Sequence, residues 1–258
     1  RQVLGDMNVH GVEITSTADI PGGTGLGSSS TFTVGLLNTL NCYNGKFVSK
    51  NKLAALACEV EIEKLGNPIG KQDQYGAALG GLNFIKFNQD GSVSHEPIMM
   101  DGKIYKKLQK NLLMFYTGTT RSANTILAEQ TKNITSEDKA KNLLKMCGLA
   151  KDMKTALESN DISSFGKILD EGWQLKKELA SGIANPAIDE AYEIAMKNGA
   201  LGGKLLGAGG GGFLLFYCEE EKQAQLKKAI GLKELDFSFE RDGTSVISVS
   251  YTHLRAHE

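Results

Sequence analysis

A ten-residue run of mostly glycine and serine, Pro21–Ser30, constrains this chain more than any other feature. It follows Val12–Ala18, a β-branched, roughly alternating run that predicts a strand, and it precedes Phe32–Leu40, a long apolar run that predicts a helix. Glycines permit tight turns close to a ligand, and a helix N-terminus presents free N–H groups to an anion. The pattern predicts a phosphate-binding loop; a glycine-rich turn with a serine cap is the ordinary alternative.

The spacing of these glycines excludes the other common phosphate loops. A Walker A loop needs a lysine after its spacer, and none follows Gly27. Rossmann and protein-kinase loops need glycine or alanine where Ser28 or Ser30 stands. The pattern Pro-x-x-x-Gly-Leu-Gly-Ser-Ser resembles the nucleotide-phosphate motif of the GHMP kinases, the family of galactokinase, homoserine kinase and mevalonate kinase. The resemblance implies that ATP binds at Pro21, Gly23, Gly25, Leu26, Gly27, Ser28, Ser29 and Ser30.

Composition narrows the class of protein. The chain has 258 residues, a formal net charge of −1 and 41% hydrophobic residues, enough for a core in one or two lobes and without the basic excess of a nucleic-acid or membrane-surface protein. No 18-residue apolar run and no signal peptide is found, which predicts a cytoplasmic protein without a membrane partner. The four cysteines lie far apart and are predicted to be buried free thiols.

Both ends of the chain depart from this pattern. The chain begins at Arg1 without Met, in what reads as the end of a helix, and the family's upstream Pro-x-Arg motif does not precede it. We therefore expect a fragment whose own activity is open. The tail at 251–258 changes character abruptly and is predicted to be a foreign extension, with a short native tail as the alternative.

Apolar periodicity predicts a mixed α+β fold. The predicted helices are Ser49–Leu65, Ser122–Asn133, Ser136–Ser159, Ile162–Leu179, Pro186–Asn198 and Glu219–Ile230, and the predicted strands are Leu82–Asn88, Val93–Pro97, Leu112–Tyr116, Gly203–Leu206, Gly212–Tyr217 and Thr244–Ser250. The closing strand–helix–strand order is consistent with a ferredoxin-like lobe. The resemblance implies two lobes: an incomplete N-terminal lobe of the ribosomal-protein-S5-like type at 1–100, and a ferredoxin-like C-terminal lobe with extra helices at 101–250.

Three alternating glutamates stand near the end of one predicted helix: Glu59, Glu61 and Glu63. Because residues two apart do not share a helix face, one of them is predicted to point inward. Beyond them, Asp73 precedes an Ala/Gly-rich segment, a good setting for a carboxylate near backbone amides, and Lys71 could keep it ionised. Phosphoryl transfer needs a group that orients the attacking hydroxyl, Mg²⁺ on the phosphates and donors for the charge. Asp73, the inward glutamate and the hydroxyl of Ser28 or Ser29 would supply these three parts.

The same segment sharpens the resemblance. Gly-x-x-Asp-Gln at 70–74 is similar to the catalytic segment of the sugar-1-kinases of the GHMP family, and the longer string at 61–75 resembles the heptose 7-phosphate kinases and their fucokinase relatives. The resemblance implies that Asp73 is catalytic and that Ser29 and Glu61 bind Mg²⁺, with Glu63 as the alternative ligand. Lys71 is added to the catalytic set because it lies two residues from Asp73.

A third glycine cluster, Gly202–Gly212, lies between two apolar runs. A β-turn would explain two of its glycines but not four in a row. The cluster resembles the third GHMP motif, which implies a loop that lies against the phosphate loop and shapes the site without catalysing. Its site residues are Gly207, Gly209, Gly210 and Gly211.

The last candidate is a strand–turn–helix junction at 116–123. Arginine near a helix N-terminus can bind phosphate through two hydrogen bonds, although an arginine solvated on a helix face is about equally common. The heptose-kinase relatives carry a similar Thr-Gly-x-Thr-Arg segment. The resemblance therefore implies a substrate site formed by Asp73, Gln74, Tyr116, Gly118, Thr120 and Arg121.

Together these motifs predict a MgATP-dependent kinase that phosphorylates the anomeric hydroxyl of a small-molecule sugar or sugar phosphate. Heptose 7-phosphate is the favoured substrate, and L-fucose is the alternative. A GHMP-fold ligand sensor without turnover is the alternative of another class. A homodimer is left open.

Overall fold

The computed structural model describes residues 2–120, 123–133 and 136–247. The described helices are α1 (Gln2–Asp6), α2 (Ser28–Tyr43), α3 (Lys50–Cys58), α4 (Gln72–Leu79), α5 (Gly102–Asn111), α6 (Ala123–Asn133), α7 (Glu137–Glu158), α8 (Ile162–Lys177), α9 (Pro186–Lys197) and α10 (Glu220–Ile230). The strands are β1 (Asn83–Phe87), β2 (Val93–Pro97), β3 (Leu112–Tyr116), β4 (Ala200–Leu205), β5 (Phe213–Cys218) and β6 (Lys233–Glu234). None of these helices is both long and apolar enough to cross a bilayer.

The larger sheet is antiparallel, with the strand order β4-β5-β3-β6. Its first and third strands along the chain lie side by side, with Leu112 opposite Tyr217 and Tyr116 opposite Phe213. The chain order strand–helix–strand–strand–helix–strand and this spatial order give the ferredoxin-like arrangement predicted from the sequence. Four helices, α6–α9, lie between β3 and β4 where this arrangement needs one, so three of them are the extra helices.

Three apolar clusters form the core. One lies between the larger sheet and the helices α8 and α9 and includes Trp173 and Phe216, which are almost fully buried. A second joins α2, α3 and α4 around Val34 and Leu53. A third, around Leu108, lies where α5 and α7 meet the sheet. Because each helix buries its apolar stripe in one of these clusters, the loops between them are left to carry the polar chemistry.

Most predicted elements are confirmed to within about three residues at each end. The strand predicted at Val12–Ala18 is wrong: this segment pairs with no strand among the described residues. The strand predicted at Thr244–Ser250 is not found over 244–247, and its remainder, like the tail at 251–258, lies outside the described residues. β-branched composition alone does not make a strand where no partner edge is available.

Two helices were missed. The Gly- and Ala-rich α4 is stabilised by packing against α2 and α3 rather than by propensity. The polar α5 is capped at its N-terminus by Asp101, whose side chain accepts hydrogen bonds from the N–H groups of Lys103 (2.8 Å) and Ile104 (3.3 Å). Cysteine burial also differs from the expectation, since Cys42 and Cys147 are free but exposed.

Candidate active site

The phosphate loop leads directly into α2. Gly27 is the residue before the helix and has a φ of 68°, a left-handed conformation that glycine adopts without strain. No side chain caps this helix end, so the serine cap considered from the sequence is absent here. The first N–H groups of α2 are therefore left without a side-chain partner, and together with the helix dipole they favour an anion.

The third glycine cluster holds this loop in place. A Cβ at Gly25 would lie 2.7 Å from the carbonyl oxygen of Leu206, and a Cβ at Gly207 would lie 2.5 Å from the Cα of Gly25. At the other end of the cluster, a Cβ at Gly212 would lie 2.2 Å from the carbonyl oxygen of Thr24, which is fully buried. Only glycine permits backbones to come this close, so the two clusters predicted to lie together form one glycine-lined wall.

The other glycines of the cluster contact the surrounding loops. Gly209 lies against the backbone of Ile183, whose carbonyl accepts a hydrogen bond from the N–H of Gly210 (2.9 Å), and Gly211 lies against Thr119. These contacts give Gly209, Gly210 and Gly211 a packing role, and the site-shaping role expected of them stays a prediction.

The turn after β3 is attached to the same wall. The N–H of Gly212 donates to the carbonyl of Thr119 (2.8 Å), and the N–H of Thr117 donates to the carbonyl of Gly212 (2.9 Å). Gly118 and Thr120 are exposed beside this contact, and Tyr116 is half-buried against Phe213. The turn predicted to bind substrate is thus next to the phosphate loop, while Arg121 lies outside the described residues.

Glu61 is the inward glutamate. The helix predicted over Ser49–Leu65 changes after Cys58 into a π-helical segment, Glu59–Lys64, a rare geometry that is common at functional sites. Within it Glu61 is 1% exposed, whereas Glu63 is on the surface. The Ser29 hydroxyl donates a hydrogen bond to Glu61 Oε1. The prediction that one of the three glutamates points inward is confirmed.

Gln74 holds Glu61 from the other side. Its Nε2 donates to Glu61 Oε2 at 2.7 Å, and the residue is fully buried. In this structure its amide N–H is directed at a buried carboxylate, and the substrate contact predicted for Gln74 stays a prediction. The local sequence, which places it next to Asp73, gives no sign of this difference in direction.

The Ser29–Glu61 pair fits the Mg²⁺ that the resemblance implies. A hydroxyl and a carboxylate are hard oxygen donors, and Mg²⁺ usually takes one or two carboxylates from the protein and completes its shell with water and substrate phosphates. In the part of the chain that the structure describes, no three acidic, histidine or cysteine side chains cluster as a closed metal site. Ser29 and Glu61 would supply two protein ligands for an ion shared with a nucleotide at the phosphate loop.

Asp73 lies in the first turn of α4, directly against the phosphate loop. A Cβ at Gly27 would lie 3.3 Å from the Asp73 Cγ. The surrounding protein desolvates the carboxylate and raises its pKa, and the charge of Glu61 acts in the same direction. A hydrogen bond with Gln72 and the charges of Lys176 and Lys204 lower its pKa in part. Asp73 is thus a carboxylate of raised basicity beside the proposed phosphate site.

The cations near Asp73 differ from the one expected. Lys71 is exposed, and its charge acts on the pKa of the Cys58 thiol, which burial raises to about 11. The charges that act on Asp73 belong to Lys176 of α8 and Lys204 of β4, both half-buried. Neither was found from the sequence, although a lysine within the apolar strand β4 is a signal that could have been used. The catalytic role of Lys71 stays a prediction.

An apolar groove of about 580 Å³ adjoins the phosphate loop. The extended segment Ile14–Ile20 forms one side, and α2 forms the other with Phe32 and Leu36. Ser28 and Leu26 of the phosphate loop also line it. The groove is large enough for a heterocyclic ring.

Known proteins resemble this chain along most of its length. The family model described as GHMP kinases N terminal domain matches residues 1–81, and the model described as GHMP kinases C terminal matches residues 153–234. A D-glycero-alpha-D-manno-heptose 7-phosphate kinase of Campylobacter jejuni is 34% identical over 232 residues, which cover 88% of this chain and 68% of that protein. The chain belongs to the GHMP kinase family.

Two further relatives place this GHMP kinase among sugar kinases. An L-fucokinase/L-fucose-1-P guanylyltransferase of Bacteroides fragilis is 33% identical over 83% of this chain and 23% of its own length. The crystal structure of a D-glycero-D-manno-heptose 1-phosphate kinase from Bacteroides thetaiotaomicron superposes with a TM-score of 0.67 at 28% identity, covering 96% of this chain and 72% of that one.

If Glu61 binds Mg²⁺ in this GHMP kinase, replacing it with Gln will raise the Mg²⁺ concentration needed for half-maximal activity. The change removes one negative charge at a buried oxygen pair and keeps the shape. We expect an increase on the order of tenfold or more, about 1.4 kcal/mol of metal binding, measured by titrating Mg²⁺ at saturating ATP. Glu63→Gln, the same change two residues away on the surface, is the control. Equal Mg²⁺ requirements in the two variants would contradict the assignment.

Proposed function

We propose that this chain is a sugar kinase that transfers the γ-phosphate of MgATP to the anomeric hydroxyl of a heptose 7-phosphate. The observation that carries the proposal is the meeting of three groups: the uncapped N-terminus of α2, the Ser29–Glu61 pair and the Asp73 carboxylate beside Gly27. Their combination supplies an anion site, metal ligands and a base, which are the parts that phosphoryl transfer requires.

The reaction begins with the sugar hydroxyl next to Asp73. The carboxylate orients this hydroxyl and accepts its proton as the oxygen attacks the γ-phosphorus. A new P–O bond forms to the sugar, the bond between the γ-phosphorus and its bridging oxygen breaks, and ADP leaves with the electron pair of that bond. Bound Mg²⁺ would neutralise charge on the phosphates, held by Ser29 and Glu61. The raised pKa of Asp73 suits a proton acceptor.

The groove beside α2 supports the nucleotide assignment. Phosphates at the α2 N-terminus would leave the rest of the nucleotide next to Ser28, which lines the groove. Its apolar walls, which include the partly exposed Phe32 and Ile14, suit the faces of a purine. We propose that the adenine of ATP occupies this groove.

The heptose 7-phosphate assignment rests on the Campylobacter jejuni relative and on the turn after β3. That turn is hydrogen-bonded to the glycine wall, so a substrate bound there would lie beside the phosphate loop and near Asp73. Fucokinase activity is the second candidate, because the Bacteroides fragilis relative is 33% identical, almost the same as the heptose kinase. A ligand sensor without turnover is disfavoured by the intact set of Asp73, Glu61 and Ser29.

ADP release by the purified chain distinguishes these activities. With MgATP, we expect heptose 7-phosphate to stimulate ADP release far more than L-fucose, and Arg121→Lys to raise KM for the sugar phosphate while KM for ATP changes little. A guanidinium offers two parallel hydrogen bonds to phosphate that an ammonium group cannot offer. Faster turnover of L-fucose would favour the fucokinase assignment, and binding of MgATP without stimulation by any sugar would favour the sensor.

A further inference from the structure

Two lysines from the C-terminal half of the chain lie beside the proposed site without a role in the mechanism above. Lys176, near the end of α8, and Lys204, in β4, are half-buried. Both interact electrostatically with the Asp73 carboxylate, and the charge of Lys204 also acts on Lys176. Lys176 donates a hydrogen bond from its Nζ to the carbonyl of Gly207. Gly207 is in close backbone contact with the phosphate loop, because a Cβ at Gly207 would lie 2.5 Å from the Cα of Gly25.

The packing of α8 along β4 fixes where both lysines lie. A Cβ at Gly202 would lie 1.8 Å from the carbonyl oxygen of Gly166, so helix and strand are in direct backbone contact there. Farther along, the Tyr192 hydroxyl donates to Asp170 at 2.6 Å and accepts from the N–H of Gly203 at 3.1 Å, joining the strand to the middle of the helix. The two elements therefore run side by side, with Lys176 near the end of the helix, Lys204 near the end of the strand, and Lys176 Nζ against the carbonyl of Gly207.

Neither lysine is neutralised by a direct partner. Among the described residues, neither Lys176 nor Lys204 forms an ion pair with a carboxylate within 4 Å, and Lys204 has no hydrogen-bond acceptor. Burial and the nearby Lys204 charge lower the pKa of Lys176 to about 7, and burial lowers that of Lys204, while Asp73 opposes both shifts. Burying cations without a partner is costly unless an anion joins them.

We propose that Lys176 and Lys204 form a lysine pair that contacts the phosphoryl group in transit between ATP and the sugar hydroxyl. The inference rests on the proposed function and adds two catalytic residues to it. We assign the two lysines to the transferring phosphoryl group, and not to the distal phosphate of the sugar, because they lie beside the phosphate loop and Asp73. Lys176 is hydrogen-bonded to the residue that contacts Gly25, and Gly27 of the same loop contacts Asp73. Cations held in place beside the phosphoryl group stabilise the negative charge that shifts during its transfer, and so they stabilise the transition state.

A purely structural role makes different predictions. If Lys176 only attached α8 to the glycine wall, its loss would lower the unfolding temperature and weaken ATP binding, with little change in kcat once ATP is saturating. If the lysines contact the transferring group, kcat itself falls because the lost interaction is made mainly in the transition state.

The test compares Lys176→Met and Lys204→Met with Lys167→Met, the same change at an exposed position of α8. At saturating MgATP and sugar phosphate, we expect kcat to fall about 10²-fold in each site variant and to stay near the wild-type value in the control. Lys176→Arg, which keeps the positive charge, is expected to recover part of the loss. Wild-type kcat in both site variants would overturn the proposal, as would a loss confined to the KM for ATP and the unfolding temperature.

A second measurement does not depend on the sugar. The wild-type chain is treated near pH 8 with an amine-acylating reagent, with and without Mg²⁺ and the non-hydrolysable nucleotide AMPPNP, and each lysine is quantified by mass spectrometry. We expect the nucleotide to protect Lys176 and Lys204 and to leave Lys167 equally reactive. Failure of the proposed function would show as a wild-type chain that no sugar stimulates, and the protection result then decides the lysine pair alone. Unchanged labelling of both site lysines would overturn it.

Discussion

Asp73→Asn is expected to lower kcat by about 10²–10⁴-fold, the range for loss of a positioned acid–base group. The substitution keeps the shape of the side chain beside Gly27 and removes its ability to accept a proton. Since the carboxylate does not hold the phosphate loop through any hydrogen bond to it, MgATP affinity and the unfolding temperature are expected to stay near the wild-type values. Steady-state kinetics at saturating substrates, calorimetric titration with MgATP and thermal unfolding give the three numbers.

Asp138→Asn is the control, because Asp138 is an exposed acid in the first turn of α7 and its loss also removes a carboxylate from a helix N-terminus. It should leave kcat unchanged. If Asp73→Asn has nearly normal kcat, Asp73 is structural and another group must accept the proton. If it loses MgATP binding together with turnover, its main role is to shape the phosphate loop.

Gly25→Ala is expected to abolish measurable MgATP binding. Gly25 has a φ of 81°, so any side chain there adds strain of about 1–2 kcal/mol for the left-handed conformation. The added Cβ would also lie 2.7 Å from the carbonyl oxygen of Leu206, so the phosphate loop and the glycine cluster would have to separate. Because the loop presents the α2 N–H groups, its displacement removes the anion site.

Gly45→Ala separates the two effects. Gly45 has a comparable φ of 68° and nothing within 4 Å of its Cβ position, and it lies past the far end of α2. It carries the conformational strain without the contact. We expect this variant to lose some thermal stability and to bind MgATP normally. Equal MgATP affinity in Gly25→Ala and Gly45→Ala would show that the contact between the glycine clusters does not shape the nucleotide site.

The sequence predicted the parts of the site that depend on short-range patterns. The run from Pro21 to Ser30 fixes both the left-handed turn at Gly27 and the start of α2, since few residues other than glycine tolerate that backbone. The alternation of three glutamates indicated one buried carboxylate, and Glu61 is that residue. Side-chain spacing along a helix is a local property, which explains why these predictions were confirmed.

The parts of the site that the sequence did not reveal depend on contacts between distant segments. Lys176 and Lys204 are more than 100 residues from Asp73 and meet it only because α8 packs along β4. Gln74 is adjacent to Asp73 in sequence, yet it is directed toward Glu61 by the packing of α4 on α3. The π-helical segment that carries Glu61 has no propensity signal, and the strand predicted at Val12–Ala18 has no partner edge among the described residues. Propensity and spacing do not encode such long-range partners.

Phosphorus NMR of the reaction tests the central claim most directly. The chain is incubated with MgATP and heptose 7-phosphate, and proton-coupled ³¹P spectra follow the γ-phosphate. We expect ATP to be converted to ADP while a second phosphomonoester signal grows, coupled to the anomeric proton of the sugar. ADP with free inorganic phosphate, or a new phosphate coupled to any other sugar proton, would contradict it.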